Sequence, residues 1–286
     1  MAHAHIRPAR ADDAEQCGRI CYEAFAAIAD QHAFPRDFPA VEAATAACSV
    51  MIGHPQFFGV VAELGGQVVG SNFLDERSTI YSVGPVTVHP RYQDHQVGRQ
   101  LMSAVLDRAD QRGVRGVRLV QAGYHNRSLS LYTTLGFAAR EPLVTLSGGP
   151  LDETIDGCVT RPAVELDIDA CDALCVKVHG HVRGGELREA VAQGVARVVE
   201  RNGGITGYST GMGLFSHAVA VSNDDLAALI AAAPSIDGTG LLLPMRNTEL
   251  LRWCLSRGLR VVHTMNLMTI GEYQEPRGAY LASVGY

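Results

Sequence analysis

The stretch from Val86 to Phe137 constrains this 286-residue chain more than any other part of it. It runs β-branched through Val86-Thr87-Val88, breaks at His89-Pro90 and passes through Gln93-Asp94-His95-Gln96-Val97-Gly98-Arg99. From Val97 the spacing becomes helical, with Leu101, Val105 and Ala109 on one stripe and Gly113 as terminator. A strand that turns tightly into a helix aims several backbone N–H groups at one point, with the positive end of the helix dipole behind them. That arrangement receives an anion, most simply a pyrophosphate. After a short buried strand, Arg118 to Gln121, a second helical run follows: Asn126-Arg127-Ser128-Leu129-Ser130-Leu131-Tyr132-Thr133-Thr134-Leu135-Gly136-Phe137.

The elements around this stretch are legible from periodicity. A short strand around Ile6 runs into a helix opened by Asp12 and Asp13, and Pro35 and Pro39 break the pattern before a second helix over 41–51. Strands over 57–63 and 68–74 join at Gly65-Gly66, a hairpin signal, and a third strand covers 81–88. A polar, turn-rich segment, Gly148-Gly149-Pro150 to Gly157, marks a linker over 148–161 between domains at 1–147 and 162–286. The second half repeats the element order of the first. The closest local match sets Asn126, Leu131, Leu135 and Gly136 beside Asn247, Leu251, Leu255 and Gly258, which reads as an internal duplication.

The loop and the second helix together resemble the two signature motifs of the GNAT N-acetyltransferases, the QxxGxG pyrophosphate loop and the NxxSxxLYxxLGF helix, in the family's order and across about fifty residues. Gln93 and Gly98 match the loop motif, while Gln96 stands where the family has its first glycine. The resemblance implies an α/β (α+β) fold with a mixed sheet: two GNAT-like domains, each a twisted, mostly antiparallel sheet with flanking helices. It also implies an acyltransferase that moves an acetyl group from acetyl-CoA to a primary amine of a small molecule or peptide by direct attack in a ternary complex. Acetyl-CoA is then the acyl-donor substrate and no metal takes part.

In that reading Val86 and Val88 pair through their backbone with the pantetheine arm. Gln93, Asp94, His95, Gln96, Val97, Gly98 and Arg99 hold the pyrophosphate, Asn126 touches the pantetheine end, and Tyr132 stands beside the sulfur. The chemistry asks for a donor to the developing oxyanion, such as the Val88 amide, and a proton for the leaving thiolate, which a phenol supplies. Asn126 reads equally as a helix cap, and Tyr132 as an ordinary half-buried helix tyrosine. No motif marks a general base. Glu76, at the end of the strand over 68–74, is the first choice, against the plainer reading of a solvated loop carboxylate; His89 and His95 are further candidates. Phe34, Asp37, Phe38, Tyr81 and Tyr124 are candidate acceptor-pocket residues.

The C-terminal half lacks room for the cofactor loop. Ser222-Asn223-Asp224-Asp225 follows the corresponding strand and matches a capping box, and Trp253 falls near the tyrosine position, so this half is expected to bind no CoA. A CoA-binding sensor or scaffold without turnover is the alternative function, and a partner-binding module a third. Net charge −6 and pI ≈ 6.0 argue against nucleic acid as the main partner. Cys17 and Cys21, and Cys171, Cys175 and His179, share helical spacing; the latter three stretch about 12 Å along one helix face, too far for one zinc, and are read as core. The absence of a long apolar run and of a signal-like N-terminus predicts a cytoplasmic protein away from membranes. A homo-oligomer is compatible with this sequence, which does not specify assembly.

Overall fold

Arg7 reaches across from the first strand to Asp13 at 2.7 Å and to Glu63 at 2.8 Å, tying strand, following turn and neighbouring strand together. Asp13 also accepts the Arg10 N–H at 2.7 Å, which closes a 3-10 turn and starts the first helix. The computed structural model describes residues 4–285. They divide into two compact units, one made of residues up to 119 with 125–136, the other of 120–124 with 137–285.

In chain order the first unit holds β1 (His5–Pro8), α1 (Ala14–Gln31), α2 (Val41–Gly53), β2 (Phe57–Leu64), β3 (Gln67–Asp75), β4 (Tyr81–Val83), β5 (Thr87–Val88), α3 (Val97–Gln111), the first residues of β6 (Gly116–Ala122) and α4 (Asn126–Thr134). Its strands are ordered β1-β2-β3-β4-β6, antiparallel except for the parallel pair β4/β6, and β5 adds to β3. The β2–β3 hairpin turns at Gly65 (φ 58) and Gly66 (φ 80), both left-handed, as the Gly-Gly pair predicts. Cys17, Cys21, Phe38, Cys48, Val61 and Phe73 form a core between α1, α2 and the sheet.

The second unit holds β7 (Ala138–Ser147), β8 (Val159–Pro162), α5 (Ile168–His179), α6 (Gly184–Ala192), β9 (Arg197–Arg201), β10 (Gly204–Ser209), β11 (Ala218–Ala220), α7 (Asn223–Ala231), β12 (Leu241–Pro244), α8 (Thr248–Ser256), β13 (Arg260–Gly271) and β14 (Ala279–Leu281). Five strands form an antiparallel sheet, β14-β11-β10-β9-β8. Strand β7, which follows the GNAT-like segment in sequence, lies between β12 and β13 and pairs with both. Cys171 and Cys175 are fully buried among Ile168, Leu187, Val198 and Tyr208, so they pack as small hydrophobes. Strand β14 was not legible in the sequence, because three residues are too few to show alternation.

The duplication is visible in side chains as well as in element order. Arg161 binds Asp167 at 2.6 Å and Glu200 at 2.6 Å, and Asp167 accepts the Val164 N–H at 2.9 Å. This repeats the Arg7, Asp13, Glu63 arrangement, residue for residue.

Candidate active site

The predicted third strand, 81–88, is interrupted. Tyr81 and Ser82 pair in parallel with Val117 and Arg118 of β6, the chain leaves the ladders over 84–86, and Thr87-Val88 pairs with β3 alone. Val86 lies in this gap. Thr87 is pinned to Ser71 by a hydroxyl contact of 3.0 Å, and a Cβ on Gly70 would come within 2.7 Å of the Thr87 carbonyl oxygen, so only glycine lets the two strands close here. The His89 N–H donates to the Val69 carbonyl at 2.9 Å, which fixes the phase of the ladder. Residues opposite one another alternate between bonded and non-bonded pairs, so the Val88–Gly70 pair is non-bonded and the Val88 N–H and C=O face away from β3.

The Val88 carbonyl is taken by its own loop: the Gln93 amide donates to it at 3.1 Å. Arg127 of α4 donates to the Gln93 side-chain oxygen at 2.6 Å and lies 3.5 Å from Asp94, while Arg99 donates to the Thr134 hydroxyl at 2.8 Å. Loop, α3 and α4 are thereby cross-tied. Asp94 (φ 67) and Gln96 (φ 62) are both left-handed, so the backbone winds into a concavity of the kind that collects N–H groups. Gln96 therefore does occupy a position that favours glycine.

Gln96 is the N-cap of α3 and makes no side-chain cap hydrogen bond, and no acidic residue lies in the first turn. The first backbone bond into this turn is Gln100 N–H to the Gln96 carbonyl, at 3.1 Å, which leaves the Val97, Gly98 and Arg99 amides directed out of the helix end. Asp94, His95, Gln96 and Arg99 are exposed, Gln93 and Gly98 half-buried and Val97 buried. An uncapped helix end behind a left-handed turn, with Arg99 in its first turn and Arg127 tied to the loop, matches the charge and hydrogen-bonding needs of a pyrophosphate.

Helix α4 begins at Asn126 with His125 as N-cap, so Asn126 is exposed and does not cap the helix. Tyr132 lies further along α4. The residue is half-buried, and burial pushes its phenol above the ordinary tyrosine range, so it stays protonated at neutral pH. His125 is the residue that sequence reasoning missed. Burial, together with the charges of Arg127 and of His32 at the end of α1, pushes its imidazole below the ordinary value and keeps it neutral. Its position immediately before the Asn126 motif was the available signal.

Glu76 does not join this group. It follows Asp75 of β3, six residues beyond Gly70, which opposes Val88; at about 3.3 Å per residue that is about 20 Å along the strand. Its carboxylate is clasped by Arg108 at 2.7 Å and Arg112 at 3.1 Å. Burial pushes its pKa up, but the two guanidinium groups outweigh that and hold it below the usual carboxylate value. The geometry thus makes Glu76 a structural ion-pair residue and withdraws support from it as general base. His89 accepts the Arg91 N–H at 3.1 Å and lies 3.4 Å from Glu23, the structural role of a turn residue. Of the acceptor-pocket residues, Phe34, Asp37 and Phe38 share the loop between α1 and α2. Tyr81 senses Glu76, Arg108 and Arg112 at the other end of the sheet, and Tyr124 belongs to the second unit, edge-on to His263.

In the second unit the counterpart of the phosphate loop is filled by the protein. The Ser222 hydroxyl accepts the Asp225 N–H at 3.3 Å and donates to its carboxylate at 2.5 Å, and Asp224 and Asp225 occupy the first turn of α7. Asn247, at the place of Asn126, caps α8 by accepting the Leu250 N–H at 3.3 Å. A cavity of about 400 Å³ lies between these helix starts, but Arg246 on its wall is already bound to Glu141 at 2.7 Å and to Glu275. Trp253 stacks under the Arg257 guanidinium, 4.4 Å from the ring centre.

Known proteins share this fold over most of the chain. Residues 21–137 match the model of the acetyltransferase (GNAT) family. A candidate acetyltransferase from Pyrococcus horikoshii is 18% identical with a TM-score of 0.76, covering 98% of this chain and 95% of its own. A GCN5-related N-acetyltransferase from Sphaerobacter thermophilus is 16% identical with a TM-score of 0.64, covering 95% and 96%. A tandem GNAT protein from the clavulanic acid biosynthesis pathway is 16% identical with a TM-score of 0.55, covering 94% and 98%. At these identities the likeness is one of fold, and it extends over both halves of the chain. No curated protein matches. Among the described residues no helix is long and apolar enough to cross a membrane. Residues 21–137 are thus similar to the acetyltransferase (GNAT) family, and the fold likeness continues along the remaining chain.

Proposed function

We propose that the first unit transfers an acetyl group from acetyl-CoA to a primary amine by direct attack in a ternary complex. The observation that carries this reading is the uncapped start of α3 behind the left-handed Gln96, set beside a Val88 peptide turned away from its own sheet. The pyrophosphate fits the loop from Gln93 to Arg99, and the pantetheine arm fits the strand edge at Val86 and Val88. Acetyl-CoA, when bound, supplies an activated acyl carbonyl and a thiolate leaving group.

The residues of the chain do the rest. The Val88 N–H is a fixed donor for charge developing on the carbonyl oxygen. Tyr132 holds a proton for the departing sulfur, and His125, neutral and on the same helix, takes the proton from the attacking ammonium. Asn126, not used as a cap, is available to the pantetheine amides. The second unit is a duplicated, structural GNAT-like domain whose Ser222 and Asp225 cap occupies the amides a phosphate needs.

Isothermal titration of CoA and a thiol-release assay over a panel of amines test the proposal together. Binding in the micromolar range that is lost on Gly98→Ala, with acceptor-dependent thiol release, supports it. The left-handed, non-glycine Gln96 favours the second reading, a CoA-binding sensor with a degenerate loop. Tight binding without turnover on any amine, and no effect of Tyr132→Phe on slow hydrolysis, would select it.

A further inference from the structure

Gln93 is gripped from both ends by groups of fixed sense. Its side-chain amide donates to the Val88 carbonyl at 3.1 Å and accepts from the Arg127 guanidinium at 2.6 Å. A carbonyl only accepts and a guanidinium only donates, so one orientation of the Gln93 amide satisfies both partners and the flipped one satisfies neither. Arg127 thereby decides which end of Gln93 meets Val88. Hydrogen bonds in such a chain polarise one another, and the charge at its head strengthens it.

Val88 is the residue on which the chain of bonds ends. Thr87 is fixed to Ser71 at 3.0 Å and the His89 N–H to the Val69 carbonyl at 2.9 Å, so the strand is pinned on either side of Val88 while its own N–H and C=O face away from β3. In an extended residue these two groups point the same way, so a tie on the C=O also sets the aim of the N–H. Helix α4 reaches this place with a second side chain. Leu131, one turn on from Arg127, and Val88 lie 3.5 and 3.8 Å from the position that a Cβ on Gly98 would take. Arg127 itself is exposed, and its ion pair with the exposed Asp94 is 3.5 Å long. Such a pair contributes little to stability, so a stabilising role does not account for the arrangement.

We propose that Arg127 is a positioning residue for acetyl transfer: through Gln93 it fixes the Val88 backbone so that the Val88 N–H is aimed at the oxygen of the thioester carbonyl. This rests on the acetyl-transfer reading above and adds to it a link between α4 and the oxyanion donor. The rival role for an arginine beside this loop is direct pairing with a CoA phosphate, and the two roles differ in what a donor without phosphates would feel. Removal of one oxyanion donor costs about 10²- to 10³-fold in rate, and a donor left in place but loosely aimed costs about tenfold or more.

The test is Arg127→Met, which keeps an extended side chain and removes every donor, assayed by thiol release with the amine of the panel that the parent uses fastest. At saturating acetyl-CoA, kcat is expected to fall about tenfold or more, and kcat/KM for S-acetylpantetheine, a thioester donor without phosphates, is expected to fall by a similar factor. In a Gln93→Ala background the same substitution is expected to change kcat by less than about twofold, since the link is already cut. The parent's kcat with a raised acetyl-CoA KM, an unchanged rate with S-acetylpantetheine, or losses that multiply in the double variant overturns the proposal. A parent that releases no thiol with any amine overturns the acetyl-transfer reading, and the role of Arg127 with it.

Discussion

The Gln93 side-chain amide donates to the Val88 carbonyl oxygen at 3.1 Å, so the phosphate loop is fastened to the one peptide whose N–H faces the reacting carbonyl in the proposed complex. Gln93 is itself held by Arg127 from α4 at 2.6 Å. Replacing Gln93 by Ala removes both ties and leaves Arg127 with Asp94. A half-buried hydrogen bond contributes about 1 kcal/mol, and two coupled ones somewhat more. CoA dissociation constants should rise about tenfold by titration calorimetry, with kcat falling as well because the Val88 donor is displaced.

Gly98 and Gln96 lie two residues apart and are expected to respond in opposite ways. A Cβ on Gly98 would meet only Leu131 at 3.5 Å and Val88 at 3.8 Å, ordinary contacts, and its φ is not positive. Gly98→Ala should therefore fold as the parent does, while its methyl group obstructs a phosphate resting on the helix end; a loss of CoA affinity of tenfold or more with an unchanged Tm is the expected pair of results. Gln96, at φ 62, carries left-handed strain of about 1 kcal/mol that glycine lacks. Gln96→Gly should raise the melting temperature without weakening CoA binding.

Tyr132→Phe keeps the ring in its half-buried place on α4 and removes only the proton. The rate of thiol release should fall roughly 10²-fold with the acetyl-CoA KM little changed, since general acid catalysis is worth about that much. A fall in binding instead of rate would make the hydroxyl a positioning group.

Glu76 and His125 separate the two candidate bases. Glu76→Gln strands Arg108 and Arg112 and should lower stability by about 1–2 kcal/mol, reduced from a fully buried pair because Arg112 is half exposed, while leaving the pH profile of acetyl transfer unchanged in shape. His125→Gln should do the reverse. In the parent, kcat/KM falls on acidification through a pKa below the ordinary histidine value, because the imidazole must be neutral to take a proton. That limb should disappear in the variant together with most of the rate.

Much of this was visible in the residues alone, for reasons that are local. The hairpin at Gly65-Gly66, the helix from Val97 and the helix over 248–256 each carry their own turn or periodicity signal. The duplication was read from Asn126 and Asn247, although Arg7-Pro8-Ala9 and Arg161-Pro162-Ala163, each followed by an aspartate, are a clearer trace of it. What escaped was tertiary. Glu76 meets arginines 32 and 36 positions away, on a helix whose rotation no pattern around residue 76 encodes. Arg36 turns back to Asp30 and Tyr22 instead of pairing with its neighbour Asp37, and only the folded loop reveals that choice.

That isolated carboxylate sets the sign of the final prediction. The folded-state pKa of Asp37, about 6, lies above the value near 3.8 expected in the unfolded chain, so the fold favours the protonated acid. Its penalty is absent below pH 4, grows as the pH rises from about 4 to 6, and is complete at pH 7, the opposite of a paired aspartate such as Asp13. A shift of this size on a partly exposed group corresponds to about 2 kcal/mol. Asp37→Asn, which keeps the shape and discards the charge, should therefore raise the melting temperature at pH 7 by about 5 °C and make no difference at pH 4. A variant less stable than the parent at pH 7 would mean that Asp37 already has its partner within the fold.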